Sequence, residues 1–169
     1  NTFFDDIDSF YELFFSIVED RYNRIYKEGK RDFDPAVYLS DHQFYSRDDK
    51  LFRYFRDFQL KEDKYNEIME IAISRCDQDM AEMGANLWLA DDHLQELDTS
   101  GHFIGLHSFS HPTRMEDLST ESQLSEYSDN FDHLAGLLGK DPQTMSHPCN
   151  SYSQDTLKIL GGLGIILGF

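Results

Sequence analysis

The stretch GHFIGLHSFSHPT, residues 101–113, joins a short apolar run to two histidines that lie four residues apart. The run Phe103–Leu106 predicts a short buried strand. Pro112 halts any helix through His111, so both histidines are expected in a loop or tight turn after that strand. Imidazole readily offers a neutral nitrogen to a metal such as zinc, and a spacing of four brings both rings to one side. His107 and His111 are therefore candidate metal ligands, with simple hydrogen bonding in a polar loop as the alternative.

From residue 86 onward, short apolar runs alternate with helical patterns. Strands are expected at Phe103–Leu106, Thr144–Ser146 and Ile165–Phe169. Capping and stop signals predict helices from Asp91 or Asp92 through Leu97 to a stop at Gly101, from Ser119 to Gly139, and from Ser153 through Leu163. The second of these helices carries the apolar stripe Leu124, Tyr127, Phe131, Leu134 and Leu138. This alternation is typical of parallel βαβ units, in which function gathers at the carboxyl ends of the strands, where the two histidines fall.

The first half of the chain has a different pattern. Apolar residues recur at helical spacing over residues 9–83, with breaks expected near Gly29 and at Asp34-Pro35. Its aromatic and methionine stripes are typical of a core rather than of a cofactor site. We therefore divide the chain into a helical segment, residues 1–85, and a βαβ segment, residues 86–169, within one incomplete domain.

Composition narrows the possible partners. The 169 residues are 40% hydrophobic and carry a net charge of −17, which suits one core and disfavours nucleic acid and anionic membranes. Small ligands or neutral glycans fit better. Cys76 and Cys149 can form at most one bridge. No apolar run reaches the ~20 residues of a membrane span, and no signal sequence is visible, which favours a cytoplasmic location. The chain lacks an initiator methionine and ends in the apolar segment GIILGF, so we expect it to be a piece of a longer protein.

The histidine stretch resembles the polysaccharide deacetylases of carbohydrate esterase family four. There, a strand ending in G-H-x-I-G-x-H-[ST]-x-[ST]-H supplies two metal-binding histidines, and residues 101–111 match this pattern. The segment SHPCNSY, residues 146–152, resembles the third motif of the family, usually R-x-P-Y-G. The resemblance covers residues 86–169, and the first half is similar to a helical insertion found in some relatives. The resemblance to this family implies an α/β fold that is part of a distorted (β/α) barrel.

The resemblance also implies roles for single residues. His107 and His111 would bind zinc, or another divalent metal such as cobalt or nickel. The backbone N–H of Cys149 would stabilise the oxyanion, and nothing in the sequence marks Cys149 as a nucleophile. The remaining matched positions would be structural or line the site: Ser108 and Ser110 would orient the loop, His102 would lie behind the strand, Pro148 aligns with the family proline, and Tyr152 would pack in the wall of the site.

Three departures from the family pattern stand out. Ser146 replaces the arginine that orients the catalytic carboxylate, and Asn150 replaces a glycine, although asparagine tolerates a left-handed backbone. His147 either takes over a polar role or points into solvent. The first motif, F-D-D-G, is imitated only by FFDDI, residues 3–7, so Asp5 and Asp6 are the weaker candidates for the base and third ligand. We expect the true motif upstream of residue 1 and the general-acid histidine beyond residue 169.

The activity that the resemblance implies is metal-dependent removal of acetyl groups from a sugar or polysaccharide, with an acetylated glycan as substrate and no predicted oligomeric state. Two alternatives remain open. The protein could be a deacetylase-like glycan-binding protein with impaired catalysis, or another metal-dependent amide hydrolase on a barrel fold.

Overall fold

The structure, a computed structural model, describes residues 7–75, 84 and 88–169. The chain divides into two units, residues 1–86 and 87–169, and each has a hydrophobic core of its own, so the expectation of one core was wrong. Across the residues described, no helix is both long enough and apolar enough to cross a membrane.

The first unit is helical, as the spacing of its apolar residues predicts. Its described elements are α1 (Ile7–Arg21), α2 (Asn23–Asp32), α3 (Arg47–Tyr54), a π-helical turn (Phe55–Gln59) and α4 (Glu62–Ser74). The buried faces of these helices are rich in aromatic rings, and Phe14 packs edge-on against Phe15 and Phe52. Aromatic rings therefore form a large part of this core, together with aliphatic side chains such as Ile17 and Ile68.

Gly29 does not break a helix, contrary to the sequence-based expectation. Helix α2 runs through Gly29 and ends at Asp32, and Phe33 is its C-cap. A Cβ atom at Gly29 would lie 2.5 Å from the ring of Phe55, so glycine permits close packing against the π-helical turn. The helix ends beside Asp34-Pro35, where the other break was predicted.

The second unit contains the predicted alternation of helices and short parallel strands. Its elements are α5 (Asp91–Thr99), α6 (Thr120–Leu138), β1 (Thr144–Met145), α7 (Gln154–Gly162) and β2 (Leu167–Gly168). Helix α6 begins where the Ser119 side chain accepts a hydrogen bond from the Ser122 N–H, 3.1 Å away, and ends at Gly139, which is left-handed with φ of 67°. These two signals fixed both ends of the helix in the sequence-based prediction.

Three chain segments run parallel in this unit. Strand β1 pairs with β2 in the register Thr144 to Leu167 and Met145 to Gly168, and Leu106 pairs with Met145 through a single bridge on the other side. A Cβ atom at Gly105 would lie 2.7 Å from the Thr144 carbonyl oxygen, so only glycine fits at this crossing. The fold is therefore α/β with parallel pairing. The described residues form a two-stranded sheet and not a closed barrel, which stays a prediction.

Two expectations about burial were wrong. Phe103 is 91% exposed, and of the expected strand Phe103–Leu106 only Leu106 pairs and is buried, because no described element of the unit covers Phe103. Leu124 is 47% exposed, whereas its neighbour Gln123 is buried. The Gln123 amide accepts a 2.5 Å hydrogen bond from Thr156 Oγ1, and this pairing with α7 sets which face of α6 turns inward.

Candidate active site

Two loops leave the same edge of the parallel segments. The first, residues 107–111, follows Leu106, and the second, residues 146–152, follows β1. The Ser146 N–H donates to the Leu106 carbonyl at 2.9 Å, which ties the beginnings of the two loops together. The carboxyl ends of parallel strands meet at one edge of a sheet, and this is the edge where ligands bind in open α/β folds.

The rings of His107 and His111 lie together, with centroids 4.9 Å apart and planes inclined by 57°. Ser108 and His111 are left-handed, with φ of 67° and 59°, and the His111 N–H donates to Ser108 Oγ at 3.1 Å. Each left-handed non-glycine residue costs about 1–3 kcal/mol and persists only where its surroundings hold it. This tight turn brings both exposed imidazoles to one side.

The hydrogen bond of His107 defines its tautomer. His107 Nδ1 lies 2.8 Å from the Ser146 carbonyl oxygen. A carbonyl can only accept, so Nδ1 carries the proton and Nε2 keeps a free lone pair. Histidines that bind metals are commonly oriented by such a bond from the other ring nitrogen. The donor chemistry of His107 therefore fits a divalent metal.

The described part of the chain offers only these two histidines as candidate ligands at this site. Among residues 7–75, 84 and 88–169, no group of three or more His, Cys, Asp or Glu side chains is arranged to hold a metal ion. Catalytic zinc sites generally use three protein ligands. The candidate carboxylates Asp5 and Asp6 lie outside the described residues, so their prediction stays untested.

Sequence reasoning missed two residues of α6 that contact residues 107–111, the histidine loop. Glu126 Oε2 accepts hydrogen bonds from the N–H groups of Phe109 and Ser110, at 3.0 and 2.8 Å, and its Oε1 accepts from Ser110 Oγ at 2.5 Å. Asn130 Oδ1 accepts from the His107 N–H at 3.0 Å. Glu126 and Asn130 lie four residues apart beside the apolar stripe of the helix. This spacing was the available signal, because such residues share one face.

The third-motif loop, residues 146–152, presents a backbone hydrogen-bond donor. Cys149 and Asn150 are both left-handed, with φ of 52° and 55°, in a short turn that begins at the buried Pro148. Asn150 thus adopts the left-handed backbone that asparagine was expected to tolerate at this position. The N–H groups of Asn150 and Ser151 donate to carbonyls within the turn, but no hydrogen bond joins the Cys149 N–H to another described residue. Cys149 is also an exposed free cysteine, and Cys76 lies outside the described residues.

His147 and Tyr152 form the side of this loop. Their rings stack with centroids 4.3 Å apart and planes 21° apart, so His147 is packed rather than directed into solvent. Burial, and secondly the neighbouring His107, lowers the pKa of His147, which favours its neutral form. Tyr152 is 44% exposed and offers part of its ring to the site.

Ser146 and His102 complete the predicted positions. Ser146, at the place of the family arginine, acts through its backbone: its carbonyl orients His107 and its N–H pairs with Leu106. His102 is exposed, and its N–H donates to the Leu97 carbonyl at the end of α5. The expectation that it lies behind a strand was wrong, because chain pairing begins only at Leu106.

Comparison with known families gives one match along most of the chain. The profile of the polysaccharide deacetylase family matches residues 64–167, which includes the histidine loop, the third-motif loop and most of α4. No curated protein sequence matches the chain.

Several solved structures are similar to parts of the chain. A family 4 carbohydrate esterase from Streptomyces lividans, in complex with acetate, is 21% identical over 46% of this chain and 40% of its own, with a TM-score of 0.43. The chitin deacetylase of the fungal pathogen Colletotrichum lindemuthianum is 25% identical over 47% of this chain and 34% of its own, with a TM-score of 0.42. The Streptococcus pyogenes deacetylase PplD is 18% identical over 91% of this chain and 68% of its own, with a TM-score of 0.45. The chain thus spans well under half the length of the first two proteins.

Proposed function

This chain belongs to the polysaccharide deacetylase family, and we propose that it is part of a metal-dependent hydrolase that removes acetyl groups from a sugar or polysaccharide. The observation that carries the proposal is the pairing of His107 and His111, with Nδ1 of His107 bonded to the Ser146 carbonyl. This bond leaves Nε2 of an exposed imidazole available as a ligand. In the intact protein we expect the parallel segments to form part of a distorted (β/α) barrel.

Residues of this chain would bind the metal and stabilise the developing negative charge. A divalent metal such as zinc, cobalt or nickel, held by His107 and His111, would supply Lewis-acid polarisation of the acetyl carbonyl. The N–H of Cys149 would donate to the carbonyl oxygen as it gains negative charge. That donor is free of other described partners, and the left-handed turn directs it independently of the cysteine side chain. A carboxylate would take the proton of the attacking water.

The surface chemistry favours a neutral acetylated glycan as substrate. The net charge of −17 repels polyanions. Phe109, between the two histidines in sequence, is 65% exposed, and Tyr152 also exposes part of its ring. Exposed aromatic rings beside polar groups suit the apolar faces and hydroxyl groups of a sugar. The localisation of the intact protein stays a prediction.

A catalytically impaired, glycan-binding protein is the second candidate, and Ser146 is the observation that favours it. The family arginine would bring a fixed charge to this position, whereas Ser146 contributes backbone hydrogen bonds. Replacing Ser146 with arginine in the intact protein separates the two candidates. An enzyme gains or keeps acetate release, and a pure binding protein stays inactive while still binding the glycan.

The direct test is acetate release from N-acetylated oligosaccharides by the intact protein. Activity should disappear after exhaustive chelation and return with zinc or cobalt, and His107→Ala should prevent its return. His133→Ala is the matched control, because His133 is exposed on α6 and contacts Asp91 instead of the site. Acetate release that survives chelation would overturn the proposal, and ammonia release from cyclic amides would point to another metal-dependent amide hydrolase.

A further inference from the structure

We propose that Glu126 and Asn130 are positioning residues that hold the histidine loop in its ligand-presenting shape before any metal binds, an inference that rests on the proposed function. Both residues lie on α6, one helical turn apart, and both accept hydrogen bonds from the backbone of residues 107–110. They act through the loop and do not themselves touch a substrate.

Glu126 is fully engaged by the loop. Its two carboxylate oxygens accept three hydrogen bonds, two from consecutive backbone N–H groups and one from the Ser110 hydroxyl. Hydrogen bonds to a carboxylate are shorter and about twice as strong as neutral ones. An acid used in this way orients the peptides of Phe109 and Ser110 and is not available as the third metal ligand.

Asn130 fixes the other end of the same loop. It accepts from the His107 N–H, while the ring of His107 donates to the Ser146 carbonyl. The first ligand residue is therefore held at two points, from α6 and from the end of β1. The second, His111, is held through the Ser108 hydroxyl. Together these bonds occupy the N–H groups of residues 107, 109, 110 and 111.

The backbone of the loop explains why such support is needed. Ser108 and His111 are both left-handed, a conformation that non-glycine residues keep only when the surrounding structure over-determines it. Helix α6 can supply this constraint, because it is capped at both ends and anchored in the core by Tyr127 and Leu134. A ligand loop bonded to a rigid helix keeps its geometry better than a loop alone.

The test uses the metal-free 169-residue chain and its zinc affinity. In Glu126→Ala, amide hydrogen exchange should accelerate about tenfold or more at Phe109 and Ser110, the effect of losing a hydrogen bond to a charged group. In Asn130→Ala it should accelerate at His107 instead. Zinc affinity, measured by competition with a chelating dye, should fall about 10- to 100-fold in Glu126→Ala.

Two further variants sharpen the test. Glu126→Gln keeps an acceptor for the two N–H groups, and its amide can donate to the Ser110 hydroxyl, so it should recover most of the protection. Asp132→Ala removes an exposed acid from the same helix and should change neither measurement.

The outcomes separate this inference from the proposed function. Unchanged exchange at residues 107, 109 and 110 in both alanine variants would overturn the inference, and so would equal acceleration throughout the second unit. If exchange changes as expected but neither wild type nor His107→Ala binds zinc, the loop support stands and the metal assignment fails. If Glu126→Ala does not fold, the exchange pattern of Asn130→Ala decides.

Discussion

A buried ion pair in the first unit contrasts with the exposed polar groups of the two loops in the second unit. In the first unit, the Arg56 and Asp57 side chains form a largely buried ion pair at 2.6 Å, and the Tyr38 hydroxyl donates to the same carboxylate at 3.0 Å. In the second unit, the imidazoles of His107 and His111 are exposed, and the Cys149 N–H has no partner among the described residues. The ion pair of the first unit has its partners within that unit, whereas the imidazole edges and the Cys149 N–H of the second unit are left open to a ligand.

Left-handed non-glycine residues are also distributed unequally between the two units. Among the described non-glycine residues with positive φ, only Leu39 lies in the first unit. The others, Ser108, His111, Cys149 and Asn150, lie in the two loops at the edge of the parallel segments. Strained backbone tends to gather at functional sites. We infer that the first unit contributes stability and the second contributes the site.

The largest expected effect concerns the core of the first unit. Phe14→Ala should lower the free energy of unfolding by about 3–5 kcal/mol, because Phe14 is fully buried among other rings. Urea denaturation followed by tyrosine fluorescence measures this change. Zinc affinity, measured at a temperature at which circular dichroism shows the variant to be folded, should stay at the wild-type value. A parallel loss of affinity would break the division of labour between the units.

The next effect concerns the site itself. His107→Ala and His111→Ala should each weaken zinc binding by more than about 100-fold, since losing a ligand costs more than losing a residue that orients one. Equilibrium competition with a chelating dye measures the affinity, with His133→Ala as the control. Equal zinc affinity in all three variants would remove the histidine pair from the site.

A smaller effect is expected for the pH dependence of stability. Burial acts to raise the pKa of Asp49, but hydrogen bonds from Tyr11 and Ser46 outweigh it and hold the pKa below 3.8. The stabilisation by Asp49 is then present above pH 3.8 and is lost as the pH falls through the lower pKa of the folded state. Asp49→Asn should flatten the acid side of the stability profile, measured by urea denaturation between pH 2 and 6 (about the range in which carboxyl groups titrate). An unchanged profile would contradict this.

The smallest effect is expected at Cys149. Cys149→Gly keeps both the N–H and the left-handed turn, so acetate release by the intact protein should be retained. Loss of activity on the order of 10²-fold or more, the scale of a missing catalytic group, would instead identify the thiol as a participant in the chemistry.

The sequence predicted features that depend on neighbouring residues. The cap at Ser119, the stop at Gly139 and the spacing of the two histidines are local signals, and the structure reproduces both ends of α6 and the approach of the two rings. Features that depend on distant partners were missed. Gly29 lies inside a helix because Phe55 packs on it, and Leu124 is exposed because Gln123 pairs with Thr156.

The same limit applies to the candidate site. His107 and His111 could be proposed from their own stretch of sequence, but the Ser146 carbonyl comes from 39 residues away along the chain. The contact of Glu126 with Ser110 spans 16 residues. Such contacts arise only when β1 and α6 pack beside the loop, and no local pattern specifies this arrangement.

Ser146 contributes to the candidate site through backbone atoms that do not depend on its side chain. Its carbonyl and N–H carry the link to His107 and Leu106, and every residue type except proline supplies both groups. The side chain at this position is therefore open to evolutionary change without loss of the tautomer of His107. Any residue other than proline placed at position 146 should therefore leave the histidine loop in its present geometry.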